Sequence, residues 1–247
     1  MKNVELLSFA GADKLARAVA GAWLDEIAAA NRARKKHCVA LSGGRIAQIF
    51  FASVVEQAKA RKIGDGGTPS LPGNVHFFWA DERCVPPGDA ESNFAIANKF
   101  LFAPLKIADA QIHRIRGEDS PEAAAKAVAM EICKIAPVNE DGQPVLDLIF
   151  LGMGEDGHVA SLFPGAPDVL ISDRVIYRVV TNSPKPPPNR VTLSYAVIAA
   201  AKQVWVLVSG VGKEAAFRKS LASKGSTPLA RVTQFRTRTK IFNDIFL

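Results

Sequence analysis

Short apolar runs separated by stretches of helical spacing most restrict how this chain can fold. His37–Leu41 (HCVAL), Val75–Ala80 (VHFFWA), Val145–Leu151 (VLDLIFL) and Val204–Ser209 (VWVLVS) are nearly continuous in apolar residues. Such runs read as strands covered on both faces. Arg174–Val180, Arg190–Ser194 and Thr239–Phe242 add further strands, the last closing the fold. Between them, residues 13–30 carry Leu15, Val19, Trp23, Leu24 and Ile27 at helical spacing, with Asp13 as N-cap. Helices are also predicted over Ile46–Ala60, Ser92–Phe102 with Ser92 as N-cap, Pro121–Ile135 with proline in its first turn, Tyr195–Ala201 and Lys213–Ala222. Residues 62–74 form a Gly/Pro loop, and Ser183–Asn189 (SPKPPPN) favours an extended polyproline conformation. Strands alternating with helices predict an α/β fold with a mostly parallel sheet covered by helices on both faces. No repeat or linker divides the chain, so one domain over residues 1–247 is expected.

Composition narrows the function classes. No apolar run approaches the roughly 20 residues that span a membrane. The start, MKNVELLSFAGADK, carries Glu5 and Asp13 and lacks the apolar stretch of a signal peptide. Cys38, Cys84 and Cys133 share no metal-type spacing and are odd in number. A reduced, cytoplasmic protein is the expectation. The net charge of +7 suits either nucleic acid or a small anionic substrate. A nucleic-acid surface needs a dense basic stripe interleaved with aromatics. Arg32, Arg34, Lys35 and Lys36 instead close a helical segment, and Arg236, Arg238 and Lys240 alternate with threonines as one face of an edge strand would. No nucleic-acid partner is expected.

Ligands of parallel sheets bind where strands end. Four such places carry polar groups. Ser42-Gly43-Gly44-Arg45 joins a strand to a helix, and reads either as an anion cradle with an added cation or as an ordinary glycine turn. Asp81, Glu82 and Arg83 follow VHFFWA, delivered by an apolar strand to the ligand-binding edge or paired in a solvated turn. Gly152-Met153-Gly154-Glu155-Asp156-Gly157-His158 matches G-x-G-x-x-G, but Pro164 and Pro167 prevent the long helix a dinucleotide needs, and the next strand ends in Thr181 and Asn182 rather than an acid. A glycine loop presenting Asp156 and His158 describes it better. Arg190 and Lys213 open a strand and a helix and, with the first loop, enclose a candidate phosphate site. His37, His76 and His113 read as structural, and Cys84 as a small buried thiol. Neither a nucleophile elbow nor a Walker A loop occurs. No spacing demands a metal at Asp81, Asp156 and His158.

These segments resemble a known family. WADERCVPPGDAESN, DLIFLGMGEDGHVASLFPG, PPPNRVTLS and VLVSGVGKEAAF are similar, in order, to signature segments of the 6-phosphogluconolactonases. The resemblance covers most of the chain. It implies a modified Rossmann-like fold shared with glucosamine-6-phosphate deaminase and ribose-5-phosphate isomerase. It further implies hydrolysis of 6-phospho-D-glucono-1,5-lactone to 6-phosphogluconate in the oxidative pentose phosphate pathway, without metal or cofactor. By motif position His158 matches the general base, Asp81 and Arg83 the acidic and basic site residues, and Arg190 and Lys213 the phosphate-side cations. Asp156 or Asp81 would orient the imidazole. The chain departs from the related S-G-G-[ST]-x-P pattern at Arg45 and Ala47, which bears on affinity more than on reaction type. The related amino-sugar phosphate deaminases carry a glutamate five residues after the histidine, where this chain has Phe163. A non-catalytic sugar-phosphate sensor is the other rival. The chain is expected to act as a monomer.

Overall fold

A computed structural model describes residues 4–63, 70–165 and 174–245. Its elements run β1 (Val4–Ser8), α1 (Ala12–Arg32), β2 (His37–Leu41), α2 (Arg45–Ala60), β3 (Val75–Trp79), β4 (Asp81–Arg83) and α3 (Asn93–Ala97). They continue with α4 (Pro121–Ile135), β5 (Leu148–Gly152), β6 (Tyr177–Val180), β7 (Arg190–Leu193), α5 (Tyr195–Ala200), β8 (Gln203–Val208), α6 (Glu214–Leu221), α7 (Pro228–Phe235) and β9 (Thr239–Asn243). Six strands form one sheet in the order β1-β9-β8-β5-β2-β3. Every pairing in it is parallel. The α/β class with a mostly parallel sheet is therefore observed. All five residues of β2 are buried, although alternate side chains face opposite sides, so both faces of the sheet are covered there.

An aromatic column fixes α1 and α2 against the sheet. Trp23 of α1 packs on Phe50 of α2 at 5.6 Å and on Phe150 of β5 at 5.2 Å. Phe150 meets Trp205 of β8 at 5.8 Å, and Trp205 meets Phe242 of β9 at 5.4 Å. The buried Trp23 indole N–H donates to His37 Nε2 at 3.1 Å, and burial lowers the His37 pKa. That pairing holds His37 neutral and structural.

Several expectations need correction. Gly11, not Asp13, is the N-cap of α1, and Asp13 lies in the first turn. The helix expected over 92–102 begins at the Ser92 cap but passes into a π-helical turn over Asn98–Phe102. Ser183–Asn189 is not extended: the Ser183 N–H donates to the Pro188 carbonyl at 2.8 Å and closes a compact loop. Among the described residues, the segment after Gly157 forms turns and isolated bridges but no helix. The central part of the 62–74 loop and Pro167 lie outside the described residues. β9 is not an edge strand, because β1 pairs along its outer side. The charge-bearing Glu5 hides β1 from a pattern search, the three-residue β4 is too short for periodicity to reveal, and α7 is not among the predicted helices. β4 joins β7 and β6 in a separate antiparallel sheet of order β4-β7-β6.

Arg236, read from sequence as one of a surface row, is buried. Its Nη1 donates to the carbonyls of Ile198, Ala199 and Ala201 at 2.7, 2.9 and 2.8 Å, and its Nη2 to Lys202 at 3.3 Å. Ile198 and Ala199 are in the last turn of α5, whose carbonyls lack helical partners, and Ala201 and Lys202 follow at and beyond its C-cap. Arg236→Leu strands them, and the expected loss is about 2–4 kcal/mol of unfolding free energy. Urea denaturation checks this.

Candidate active site

The sheet order reverses between β2 and β5. The chain passes from β2 through α2 to β3 on one side, and β5 then adds on the other. A crevice opens outside the carboxyl ends of strands at such a switch point. The loop after β2 and the loop after β5 face each other across it. The Ser42 hydroxyl donates to the Phe150 carbonyl at 2.8 Å, tying the first loop to β5.

The cleft is lined by Ser42, Gly43, Gly44 and Arg45 from the first loop, by Asp81 and Arg83 from β4, and by His158 from the second loop. Arg190 of β7 and Lys213, just before α6, complete the sequence-derived set. Asp156 does not line the cleft but stands behind His158. Residues not singled out from sequence also line it, among them Asn93 and Ser209. Ser209 Oγ donates to Asp244 Oδ2 at 2.7 Å, which fixes the loop after β8.

His158 Nδ1 and Asp156 Oδ1 lie 2.5 Å apart, and the His158 backbone N–H also reaches Asp156 Oδ1 at 3.2 Å. With Nδ1 engaged as the donor, Nε2 is the ring nitrogen left for the cleft. Burial lowers the His158 pKa, and the hydrogen bond and charge of Asp156 only partly restore it. For Asp156, burial pulls the pKa up, but the His158 contacts outweigh it and leave the carboxyl below its ordinary value. The imidazole rests on Phe163 at 4.8 Å. Gly154 makes room for the ring: a Cβ there would lie 2.0 Å from His158 Cε1. Gly157 has φ +83, a conformation that favours glycine, and its carbonyl accepts the Leu229 N–H at the start of α7 at 3.1 Å. The helix missed from sequence thus anchors the His158 loop.

Asp81 is buried, with Oδ2 accepting from Ser161 Oγ at 2.6 Å and Oδ1 from Asn93 Nδ2 at 3.3 Å. Glu82 is not a cleft group. Its buried carboxylate accepts the backbone N–H groups of Arg83, Asn93 and Phe94 at 2.7–2.8 Å and the Ser92 hydroxyl at 3.1 Å, and so caps α3. Burial nevertheless pushes its pKa up to about 7. Arg83 Nη1 donates to the Glu91 carbonyl at 2.5 Å. Cys84 beside it has a raised pKa, chiefly through burial, so no activated thiol is present there.

The cations divide between two sides of the cleft. Arg190 pairs with Arg83 across the β4–β7 ladder. It donates from Nε to Pro187 O at 3.1 Å and from Nη2 to Lys185 O and Pro186 O at 2.9 and 3.0 Å, so it holds the Pro-rich loop. Lys213 is half-buried, and its pKa falls through burial and then through repulsion by Arg45. Two cations facing one another beside a glycine loop favour an anion. His76 Nδ1 and His113 Nε2 lie 3.0 Å apart, and His113 Nδ1 is 3.4 Å from Glu131, outside the cleft. Among the described residues, no three His, Cys, Asp or Glu side chains gather as a metal site requires.

Asp156 supports the charged form of His158. In Asp156→Asn the imidazole is therefore expected to titrate at still lower pH. Its Cε1 proton, followed by NMR across the titration, reads this directly.

Comparison with known proteins identifies the family. The family model of glucosamine-6-phosphate isomerases/6-phosphogluconolactonase matches residues 10–241. A 6-phosphogluconolactonase of Treponema pallidum is 41% identical over 158 residues, which are 64% of this chain and 63% of that one. A 6-phosphogluconolactonase of Mycobacterium bovis is 35% identical over 228 residues, covering 90% of this chain and 87% of its own. The solved 6-phosphogluconolactonase of Trypanosoma brucei superposes with a TM-score of 0.79 at 26% identity, covering 99% of this chain and 96% of that one. With the match running from before α1 into β9, the chain belongs to the glucosamine-6-phosphate isomerase/6-phosphogluconolactonase family.

Proposed function

We propose that the chain hydrolyses 6-phospho-D-glucono-1,5-lactone to 6-phospho-D-gluconate, with His158 as general base. The observation that carries the reading is the half-buried Asp156–His158 pair, with His158 lining a cleft that Arg45 and Lys213 also line. Asp156 fixes the tautomer in which Nδ1 holds the proton and Nε2 can accept one. A lowered pKa keeps the ring neutral near pH 7. His158 takes a proton from water as its oxygen adds to the lactone carbonyl. The tetrahedral intermediate collapses by breaking the bond between the carbonyl carbon and the ring oxygen, and that oxygen takes the proton back from the imidazolium. The products are a carboxylic acid, ionised at neutral pH, and a free hydroxyl.

Negative charge on the carbonyl oxygen is stabilised by Arg83 or by N–H groups of the glycine loop. Asp81, an anion beside the base, favours the transient imidazolium. The phosphate sits between Arg45, Lys213 and the N–H groups of Gly43 and Gly44, where it relieves the repulsion of the two cations. Arg190 adds positive potential from the Arg83 side. Phosphate binding is remote from the reacting bond, so it holds the lactone in place for attack. The scheme calls for no metal or cofactor, and the chain is expected to work as a monomer in the cytoplasm.

The deaminase reading lacks its acid. The position five residues after His158 is Phe163, a buried ring that carries His158 on it at 4.8 Å and Arg190 over it at 5.5 Å. Nothing there can move a proton during ring opening.

Lactone disappearance, corrected for spontaneous hydrolysis, tests the scheme. In His158→Ala, kcat is expected to fall by about 10²- to 10⁴-fold. Parent-like kinetics in this variant would exclude His158 as the base. For the parent, kcat/KM should fall on acidification only below histidine's ordinary titration range, because the free imidazole has a lowered pKa. In Arg45→Ser, KM should rise by roughly tenfold with kcat little changed, the loss of one charge-assisted contact. An unchanged KM would show that Arg45 is not a phosphate ligand.

A further inference from the structure

Half of the Asn93 amide has no partner. Its Nδ2 donates to the Asp81 carbonyl at 2.9 Å and to the Asp81 carboxylate at 3.3 Å. Its Oδ1 is buried and accepts no hydrogen bond. Turning the amide over would aim its oxygen at two Asp81 oxygens, so the hydrogen-bond pattern fixes the orientation. Buried orphan acceptors are rare and call for a reason.

The reason lies across the cleft. Oδ1 rests against Gly43, where a Cβ would lie 1.9 Å from it. Of the two loop glycines, Gly44 has the left-handed backbone, at φ +92, whereas Gly43 does not. Gly43 lacks a side chain because Asn93 occupies that space. Asn93 is itself immobilised. It is the first residue of α3, 2% exposed, and the Glu82 carboxylate grips its N–H and that of Phe94, each at 2.8 Å. On the far side of Asp81, Ser161 holds the other carboxylate oxygen at 2.6 Å, three residues beyond His158.

We propose that Asn93 is a positioning residue of the reaction: it braces the Ser42-Gly43-Gly44 loop against Asp81, and so sets the distance between the anion-binding loop and the carboxylate beside the base. The inference rests on the lactonase reading above.

Two variants and one cycle test it. Asn93→Asp keeps the shape, and an acid at the first position of a helix suits the dipole. It cannot donate to Asp81 when ionised, and it repels the carboxylate. Asn93→Ala removes the brace and opens the space. In both, kcat is expected to fall about ten- to hundredfold with KM within about threefold. Gly43→Ala should lower kcat by about tenfold or more in the parent, but by less than about threefold in Asn93→Ala, where the clash is gone. The same cycle should appear in Tm, with Gly43→Ala destabilising the parent and sparing the Asn93→Ala background.

A kcat within about twofold of the parent in both Asn93 variants overturns the proposal. So does a loss confined to KM, or a Gly43→Ala effect of equal size in both backgrounds. If the parent itself fails to accelerate lactone hydrolysis, the lactonase reading falls. The Tm cycle then still reports whether Asn93 braces the loop.

Discussion

A strand buried on both faces must satisfy its peptide groups through its neighbours, because no water reaches them. Everything else in this molecule follows from meeting that demand with parallel strands. Parallel pairing makes every strand leave the six-stranded sheet at the same edge, so the loops after β2, β3, β5 and β8 gather there. Those loops carry the polar residues that the strands cannot. The reversal of strand order between β2 and β5 parts two of them, and the cleft is the gap that results. Its walls are loops anchored at both ends on sheet strands or helices, the kind of scaffold that holds site groups in place.

The small antiparallel sheet supplies what the large one cannot. β4 leaves the edge of the main sheet one residue after β3 and brings Asp81 and Arg83 back over the cleft, while β7 brings Arg190 beside them. The site thus joins two kinds of scaffold. Ser42, Gly43, Gly44, Arg45, His158 and Lys213 come from segments attached to the parallel sheet, and Asp81, Arg83 and Arg190 come from the small one. Ser161 and Asn93 meet on Asp81 from separate segments, so this carboxylate is where the two scaffolds are tied together.

Much of this was legible in the sequence. β2, α4 and the core strands are long apolar or periodic runs flanked by glycine or proline, so local pattern identifies them. The nine cleft residues chosen from sequence were legible because they lie at the ends of strands and helices or in glycine loops beside them. What was not legible depends on contacts between distant segments. Asp81 and Glu82 read alike as neighbouring acids, but one faces the cleft and the other caps α3, a difference set by the strand alternation of β4. Arg236 reads as surface charge because four of its carbonyl partners lie over thirty residues away in sequence. Asn93 follows a good N-cap serine and looks like ordinary helix, and only its contact with Gly43 gives it meaning. The Pro-rich loop defied its polyproline tendency because Arg190 gathers three of its carbonyls.

The glycines of the site divide the space around two side chains. At Gly43 and Gly154 the volume that a methyl group would fill is already taken, by Asn93 and by His158 respectively. Each glycine and its occupant therefore form a single lock, and neither member can drift alone. A lineage that enlarges residue 154 must first surrender the histidine, and one that enlarges residue 43 must first surrender the asparagine. With the roles proposed for His158 and Asn93, the intermediate sequences on any such path lose a site residue, so the present arrangement is hard to leave by single steps.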